Sequence, residues 1–224
     1  LAAITGLLRP WLGASVMVKV SGASEFEGGI LDPLLRTRPL HRLMNRWIQR
    51  ADSIQCISRF THESLLDAGY PASRLRRIPN AVDLSRFRTE RRPRDGVVRV
   101  AYVGRLRHVK GVGVLVDAWH ALAARGGARL VIAGDGDMRE ALVAQVERLS
   151  LRDGVELAGE ISDVPALLRE TDVYVQPSFQ EGMPNSVLEA MAAGLPVVAT
   201  RVSGNEDLVT DGDNGLLVPP GSAE

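Results

Sequence analysis

The chain has 224 residues, 45% of them hydrophobic and 24% charged, with 27 basic and 27 acidic side chains. This composition is ordinary for a globular protein with a sizeable core. Because basic and acidic side chains are equal in number, the sequence argues against a dedicated nucleic-acid binder, which needs an excess of positive charge. The one cysteine, Cys56, excludes an intrachain disulfide and lies in an apolar run, so a reducing, cytoplasmic setting fits best. No apolar run approaches the roughly 20 residues that span a bilayer.

The first elements in chain order are predicted to be a helix end over residues 1–13 and a buried strand over 16–20. A third element, over 39–50, has the apolar spacing of one helical face. Its apolar residues are Leu40, Leu43, Met44, Trp47 and Ile48, and its basic residues His41, Arg42, Arg46 and Arg50 lie opposite. Two interpretations stay open: a helix packed on its own sheet with a solvated basic face, or a peripheral contact with an anionic membrane.

A strand over 54–58, a helix over 59–68 and a strand over 76–79 complete the first part of the pattern. The segment 84–96 is rich in arginine and proline and has neither helical nor strand periodicity. We therefore predict a first domain over 1–83, an interdomain linker over 84–96 and a second domain over 97–224.

Strands and helices alternate regularly in the second domain, which indicates βαβ crossovers and a parallel sheet. The predicted strands are 98–103, 130–133, 155–157, 173–176 and 197–199, and the predicted helices are 111–124, 138–149 and 164–169. The chain begins inside a helix, and Ser222 resembles the N-cap of another. The expectation is that elements of the N-terminal domain and the closing C-terminal helices are missing.

Polar and glycine residues follow several strands of this predicted sheet, where ligands of parallel sheets bind. Arg105 and Lys110 flank the start of a helix, which suits a diphosphate, although an isolated pair of this kind is usually a solvated surface pair. Gly134-Asp135-Gly136 lacks the three-glycine dinucleotide fingerprint and alone would be a strand-to-helix turn.

Two carboxylates frame the next helix, which Asn185 or Ser186 is predicted to cap and Gly194 to end. Glu181 belongs to the loop and Glu189 to the helix, about one turn in, where the helix N-terminus favours an anion. A carboxylate can accept from both hydroxyls of a ribose, and two carboxylates also suggest a glycoside hydrolase. A hydrolase would not need two cations assembled for a phosphate.

Four motifs in order along residues 78–218 carry a resemblance to a known family. They are 78–83 with Phe87, 102–106 with Lys110 and Gly111, 181–200, and Gly204 with Glu206 and 211–218. In this order they resemble glycosyltransferase family 4, the retaining GT-B enzymes, and 181–189 is similar to its E-x7-E motif. The sequence departs from the family pattern at Ala81, where glycine is usual, and near Ser21, where many members have histidine.

The resemblance implies an α/β GT-B fold with two Rossmann-like domains and parallel sheets, the N-terminal one incomplete here. It implies catalytic roles for three residues, with Arg105 and Lys110 holding the donor diphosphate and Glu181 facing the donor sugar. Glu189 would bind the ribose hydroxyls. The other donor-binding residues would be Gly104, Gly134, Gly136, Glu160, Ile161, Gly182, Met183, Pro184, Asn185 and Ser186.

The function implied is transfer of a sugar from a nucleotide diphosphate sugar to a sugar, lipid-linked or polysaccharide acceptor, with retained configuration and without metal or other cofactor. Polysaccharide or glycolipid synthesis would be its setting, in the cytoplasm or at the inner face of the membrane. The alternatives are an inactive nucleotide-sugar-binding subunit and a GT-B nucleotide-sugar epimerase. Residues 1–224 alone are expected to be inactive, and the sequence does not specify donor base, sugar, acceptor, linkage or oligomeric state.

Overall fold

The structure is a computed structural model that describes residues 2–21, 32, 38–87 and 95–223. Its Cα packing divides the chain into two units. The first unit contains Leu1–Asn80 with Glu181–Met183, and the second contains Ala81–Gln180 with Pro184–Glu224. Residues 88–94 of the predicted linker lie outside the described part. No described helix is long and apolar enough to cross a bilayer.

The first unit is built on a short parallel sheet with strand order β1-β2-β3. Its elements are α1 (Ala2–Leu12), β1 (Met17–Val20), α2 (Pro39–Ile48), β2 (Ser53–Cys56), α3 (Arg59–Asp67) and β3 (Leu75–Arg77). Alternate residues of β1 and β2 are buried, which is the period of a strand with one face on the core. Cys56 is fully buried in that core, as expected, and burial raises the pKa of its thiol.

Only part of the predicted apolar face of α2 is buried. Ile48 is buried and Met44 and Trp47 pack against the core, but Leu40 is 63% exposed and Leu43 is 43% exposed. The cause is that the C-terminal half of the helix makes the core contacts, with its backbone at Trp47 lying against Gly6 of α1. His41, predicted on the exposed basic face, is instead half-buried.

An ion pair joins the end of α1 to the turn before β2. Arg9 donates through two guanidinium nitrogens to Asp52, and the Val16 N–H donates to the same carboxylate at 2.9 Å. The hydrogen bonds from Arg9, followed by that from Val16, hold the pKa of Asp52 well below its usual range. The pair therefore connects the helix, the start of β1 and the start of β2.

The second unit is a six-stranded sheet, all of whose strand pairs are parallel, in the order β6-β5-β4-β7-β8-β9. Its first elements are α4 (Leu84–Phe87), β4 (Val98–Val103), α5 (Val112–Ala123), β5 (Ala128–Ala133), α6 (Arg139–Arg148) and β6 (Val155–Gly159). The remaining elements are α7 (Val164–Arg169), β7 (Val173–Gln176), α8 (Asn185–Ala192), β8 (Val197–Thr200), α9 (Ser203–Glu206) and β9 (Gly215–Val218). The alternating pattern correctly predicted a parallel sheet in which helices connect the strands.

Apolar side chains form two separate clusters in this unit. Helices α5 and α6 pack over β4, β5 and β6, with Tyr102, Trp119 and Ile132 among the buried residues. Helices α4, α7 and α8 pack with β7 and β8, and Phe87 and Tyr174 are buried there. The helices are thus distributed over two layers, as in doubly wound α/β domains.

Three short elements were not predicted. Leu84–Phe87 is helical inside the segment predicted to lack regular structure, and its Phe87 is 3% exposed in the core of the second unit. Ser203–Glu206 forms one helical turn, and Gly215–Val218 forms the edge strand β9. The buried Phe87 side chain orders α4. A helix of only four residues is too short to show helical periodicity in the sequence.

Candidate active site

The sheet of the second unit reverses its direction of growth between β4 and β7. From β4 the chain adds β5 and β6 on one side, then returns to place β7 against the other side of β4. The loops leaving the carboxyl ends of β4 and β7 therefore diverge from adjacent strands. In open parallel sheets, such a reversal opens a crevice in which ligands bind.

The loop after β4, residues 104–111, carries the two predicted cations. The Tyr102 hydroxyl donates to the carbonyl oxygen of Arg105 at 3.0 Å, which fixes the backbone while the Arg105 side chain is exposed. Lys110 is half-buried and ends a 3-10 turn directly before α5. Gly111 adopts a left-handed φ of 65° and starts the helix without a side-chain cap. Both cations thus flank an uncapped helix N-terminus.

The glycines of the loop after β5 are required by packing against the β4 loop. A β-carbon on Gly134 would lie 1.9 Å from the Gly104 carbonyl oxygen, and one on Gly136 would lie 2.4 Å from that of Leu106. The Gly134 N–H also donates to Gly159 at the end of β6, at 2.7 Å. These contacts bring the β4, β5 and β6 loops together, with Glu160 exposed and Ile161 half-buried just beyond.

The β4 and β7 loops are joined directly across the crevice. The Phe179 N–H donates to the carbonyl oxygen of Val109 at 2.8 Å. The rings of His108 and Phe179 stack, with their centroids 5.5 Å apart and their planes at 19°. The turn that carries Lys110 is therefore anchored to the loop that precedes the E-x7-E helix.

The predicted capping of α8 is wrong. Pro184 occupies the N-cap position and offers no side-chain acceptor, while Asn185 is already the first helical residue. Ser186 points its hydroxyl elsewhere, donating to Gln176 Oε1 at 3.2 Å. No side chain caps this N-terminus, which leaves its first turn available to an anion.

Glu189 lies one turn into α8 and is half-buried. Burial raises the pKa of its carboxyl above the ordinary value, and the nearby Arg86 partly offsets that shift. A half-buried carboxylate near a helix N-terminus can accept from a pair of ligand hydroxyls.

Glu181, Gly182 and Met183 pack with the first unit, and Glu181 is only 6% exposed. In that unit the Asn80 amide donates to the Met183 carbonyl oxygen at 3.1 Å, and the Lys19 ammonium donates to Asn80 Oδ1 at 2.9 Å. The structure thus brings together in the second unit the predicted site residues from Gly104 to Ile161 and from Pro184 to Glu189. Glu181, Gly182 and Met183 belong instead to the first unit.

The sequence reasoning missed a buried polar network beneath α8. Gln176 accepts from Tyr174 at 2.9 Å and donates to Ser178 at 2.8 Å, in addition to its bond from Ser186. Thr200 donates to the Ser178 carbonyl oxygen, and Asn205 donates to that of Thr200 at 2.8 Å. The available signal was Gln176 itself, a polar residue at a buried position at the end of an apolar strand.

Two family models match different parts of the sequence. The model described as "Glycosyl transferases group 1" matches residues 98–224. The model described as "Glycosyltransferase Family 4" matches residues 28–86. The first match alone covers more than half of the chain.

Curated relatives carry transferase names. The putative colanic acid biosynthesis glycosyltransferase WcaL of Salmonella typhimurium is 33% identical over 79% of this chain and 46% of its own length. The GDP-mannose-dependent alpha-mannosyltransferase of Mycobacterium tuberculosis is 36% identical over 84% of this chain and 47% of its own length. The chain therefore spans about half the length of the curated relatives it matches.

Solved structures share the fold over nearly the whole chain. HepE of Anabaena, in complex with UDP and glucose, superposes with a TM-score of 0.84 and 24% identity, covering 99% of this chain and 62% of that one. Sucrose-phosphate synthase of Thermosynechococcus elongatus gives a TM-score of 0.80 at 25% identity, covering 99% and 59%. These neighbours confirm the predicted GT-B class with parallel Rossmann-like sheets.

Proposed function

The chain belongs to the glycosyl transferases group 1 family, and from that membership we propose that its protein transfers a sugar from a nucleotide diphosphate sugar to a glycan or lipid-linked acceptor. The transfer retains the anomeric configuration and serves polysaccharide or glycolipid synthesis. Relatives support the setting, because their names include colanic acid and amylovoran biosynthesis.

One observation carries the proposal. The loops after β4 and β7 are joined to each other; the β4 loop carries Arg105 and Lys110 beside the uncapped start of α5, and the β7 loop leads to the uncapped start of α8. The Phe179–Val109 hydrogen bond connects these loops, so Lys110 and the start of α8 belong to one continuous segment of the site. A nucleotide diphosphate sugar would fit this arrangement, with its diphosphate beside Arg105 and Lys110 and its ribose diol beside Glu189.

In the proposed mechanism the diphosphate is the leaving group. Negative charge grows on it as the bond to the sugar breaks, and fixed donors are most effective where charge develops. Arg105 and Lys110, with the N–H groups at the starts of α5 and α8, stabilise that charge without a metal ion. Glu189 holds the ribose hydroxyls, and Glu181 faces the donor sugar.

The remaining contacts follow from the loops on either side. The loops that contain Gly104, Gly134 and Gly136, which these glycines allow to pack closely, lie beside the phosphates, and the Gly159–Ile161 turn lies toward the base. The backbone from Gly182 to Ser186 lies along the sugar and the phosphate. A peripheral position at a membrane is a further part of the proposal.

Binding is tested first, by thermal shift of this chain with UDP, GDP, ADP and their sugar conjugates. A ligand at 100 times its Kd stabilises the folded state by about 2.7 kcal/mol, so a true donor nucleotide shifts the melting curve clearly. Several nucleotides are tested because the relatives differ in the nucleotide: one is named for GDP-mannose, and a structural neighbour was solved with UDP. A flat response to every nucleotide would remove the proposed donor site.

Transfer is tested second, with the protein at its natural length and the donor that binds. Product formation with retained configuration, read by NMR of the anomeric proton, supports a retaining transferase. Nucleotide binding without transfer to any acceptor supports the inactive binding subunit. Conversion of the donor sugar without an acceptor supports the epimerase.

A further inference from the structure

The side chain of Gln176 connects three parts of the second unit at the carboxyl end of β7. It is 2% exposed, and its amide oxygen accepts from the Tyr174 hydroxyl at 2.9 Å and from the Ser186 hydroxyl at 3.2 Å. Its amide nitrogen donates to the Ser178 hydroxyl at 2.8 Å. One buried side chain therefore bonds to its own strand, to the loop that leaves that strand and to the first turn of α8.

A second set of hydrogen bonds holds the same loop from the end of β8. The buried Thr200 hydroxyl donates to the Ser178 carbonyl oxygen. The buried Asn205 amide donates to the Thr200 carbonyl oxygen at 2.8 Å and to the Thr200 hydroxyl at 3.2 Å. Ser178 is thus held through its side chain by Gln176 and through its backbone by Thr200.

The strand itself does not explain a glutamine at this position. The other residues of β7 are Val173, Tyr174 and Val175, and a further apolar side chain would also fill a buried site at the strand end. A buried amide is tolerated where its donor and acceptor are paired, and a paired network holds its members in one arrangement. What Gln176 adds is therefore a fixed geometry at the edge of the sheet where the proposed donor binds.

The hydrogen bond from Ser186 acts on the start of α8 directly. Ser186 is the second residue of that helix, and Pro184 at the N-cap offers no side-chain acceptor. A serine hydroxyl near a helix start commonly bonds to backbone groups of the same turn. Here the hydroxyl donates to Gln176, so the first turn is fixed to β7 from its side chain rather than capped at its N–H groups.

We propose that Gln176 is a positioning residue of the donor site, which holds the first turn of α8 in the orientation in which its N–H groups bind the donor diphosphate. Gln176 does not contact the donor and acts through Ser186 and Ser178. The inference rests on the proposed function, which places the diphosphate at this helix start. A preorganised set of donors loses less freedom when the ligand binds, and a buried residue contributes to affinity in this way.

The test is calorimetric titration of the chain with UDP and GDP, and with UMP and GMP, which lack the second phosphate. Gln176→Met replaces the amide by an apolar side chain of similar length. For the base that wild type binds, it is expected to weaken diphosphate binding about tenfold and monophosphate binding less than about threefold. The preference for the diphosphate reports on the helix start, whereas a loss of stability alone would weaken both ligands equally.

Ser186→Ala removes the hydroxyl and leaves Gln176 in place. It is expected to reduce the same preference, and its combination with Gln176→Met is expected to add little, because two residues that act through one hydrogen bond are not additive. This variant also provides the test by itself if Gln176→Met does not fold. An unchanged preference in Ser186→Ala would overturn the inference.

The matched control is Thr171→Val, at the amino end of the same strand. Thr171 is buried and its hydroxyl donates to the Leu167 carbonyl oxygen at 2.8 Å, so this variant also loses a buried hydrogen bond in the second unit. It is expected to lower the melting temperature and to leave the preference for the diphosphate unchanged. Circular dichroism confirms that the compared variants are folded.

Two failures are distinguishable. If Gln176→Met lowers the melting temperature but keeps the preference of wild type, the inference is overturned and the proposed function stands, because the network then only stabilises the fold. If wild type binds none of the nucleotides, the donor site is removed, and the inference is overturned with it.

Discussion

A β-carbon on Gly111 would lie 2.0 Å from the carbonyl oxygen of Pro177. The start of α5 and the loop after β7 are therefore in backbone contact at a position that only glycine can occupy. The same residue has a φ of 65°, which is unfavourable for a residue with a β-carbon. The conformation of Gly111 and its contact with Pro177 thus both fix the turn that carries Lys110.

Gly111→Ala is expected to destabilise the second unit by about 3 kcal/mol, because backbone strain and a backbone clash add. Gly126→Ala is the control, since Gly126 has a φ of 66° and a β-carbon there would meet no other atom within 4 Å. It is expected to cost about 1 kcal/mol. Urea denaturation of both variants measures the difference, and equal losses would show that the Pro177 contact is unimportant.

In the protein at its natural length, Arg105→Ala is expected to lower kcat/KM for the donor about 10- to 100-fold, because the proposed charge-assisted hydrogen bond to the diphosphate would be lost. Arg107→Ala is the control, since Arg107 is exposed two residues away in the same loop. It is expected to change kcat/KM less than about twofold. Steady-state kinetics compare the two, and equal effects would point to a general loss of positive charge.

Glu189→Gln is expected to stabilise the free protein slightly at neutral pH, by less than about 1 kcal/mol after solvent screening. The pKa of Glu189 is raised by burial, so its charged form opposes folding at pH values above that pKa. The penalty disappears as the pH falls below the pKa of the unfolded chain, and the advantage of the variant should disappear with it. Melting curves across this range measure the effect.

The same variant tests the ribose assignment. If Glu189 binds the ribose as proposed, wild type is expected to bind the ribonucleotide about tenfold more tightly than its 2′-deoxy form, which lacks one of the two hydroxyl donors. Glu189→Gln is expected to lose most of that preference. Unchanged discrimination in calorimetric titrations would place the ribose elsewhere.

Asp52→Asn is expected to lower the melting temperature of the first unit at neutral pH, because it removes the charge partner of Arg9. The pKa of Asp52 is lowered in the folded state, so its contribution to stability is present above the unfolded-state value and lost as the pH falls below it. Wild type and variant should therefore converge at acidic pH. Asp67→Asn, at an exposed carboxylate of α3, is the control.

Elements with a clear period were predictable, and those ordered by distant contacts were not. The apolar run Val98–Val103 and the helix at Val164–Arg169 were found with the predicted limits. The edge strand Gly215–Val218 follows an Asp- and Gly-rich turn that hides its four residues. It becomes a strand because β8 supplies its hydrogen-bond partners.

The position of candidate site residues was predictable where the strand pattern determines it. Arg105 and Lys110 follow β4 and Glu189 follows β7, so a parallel sheet puts them at its carboxyl edge, while their roles toward a donor stay a prediction. The capping of α8 was predicted wrongly because Pro184 takes the N-cap position and Gln176 draws the Ser186 hydroxyl away. A partner ten residues distant in sequence leaves no trace in a local motif.

The separate hydrophobic clusters of the two units determine how the chain melts. Among the described residues, the buried side chains of the first unit, from Ala3 to Leu75, form one cluster, and those of the second unit form two others. Heating should therefore produce two transitions, and one melting temperature would not describe the molecule. A donor nucleotide held by Arg105 and Glu189 should move the second unit's transition, and calorimetry would show whether the transition of the first unit, to which Gly182 and Met183 belong, moves with it.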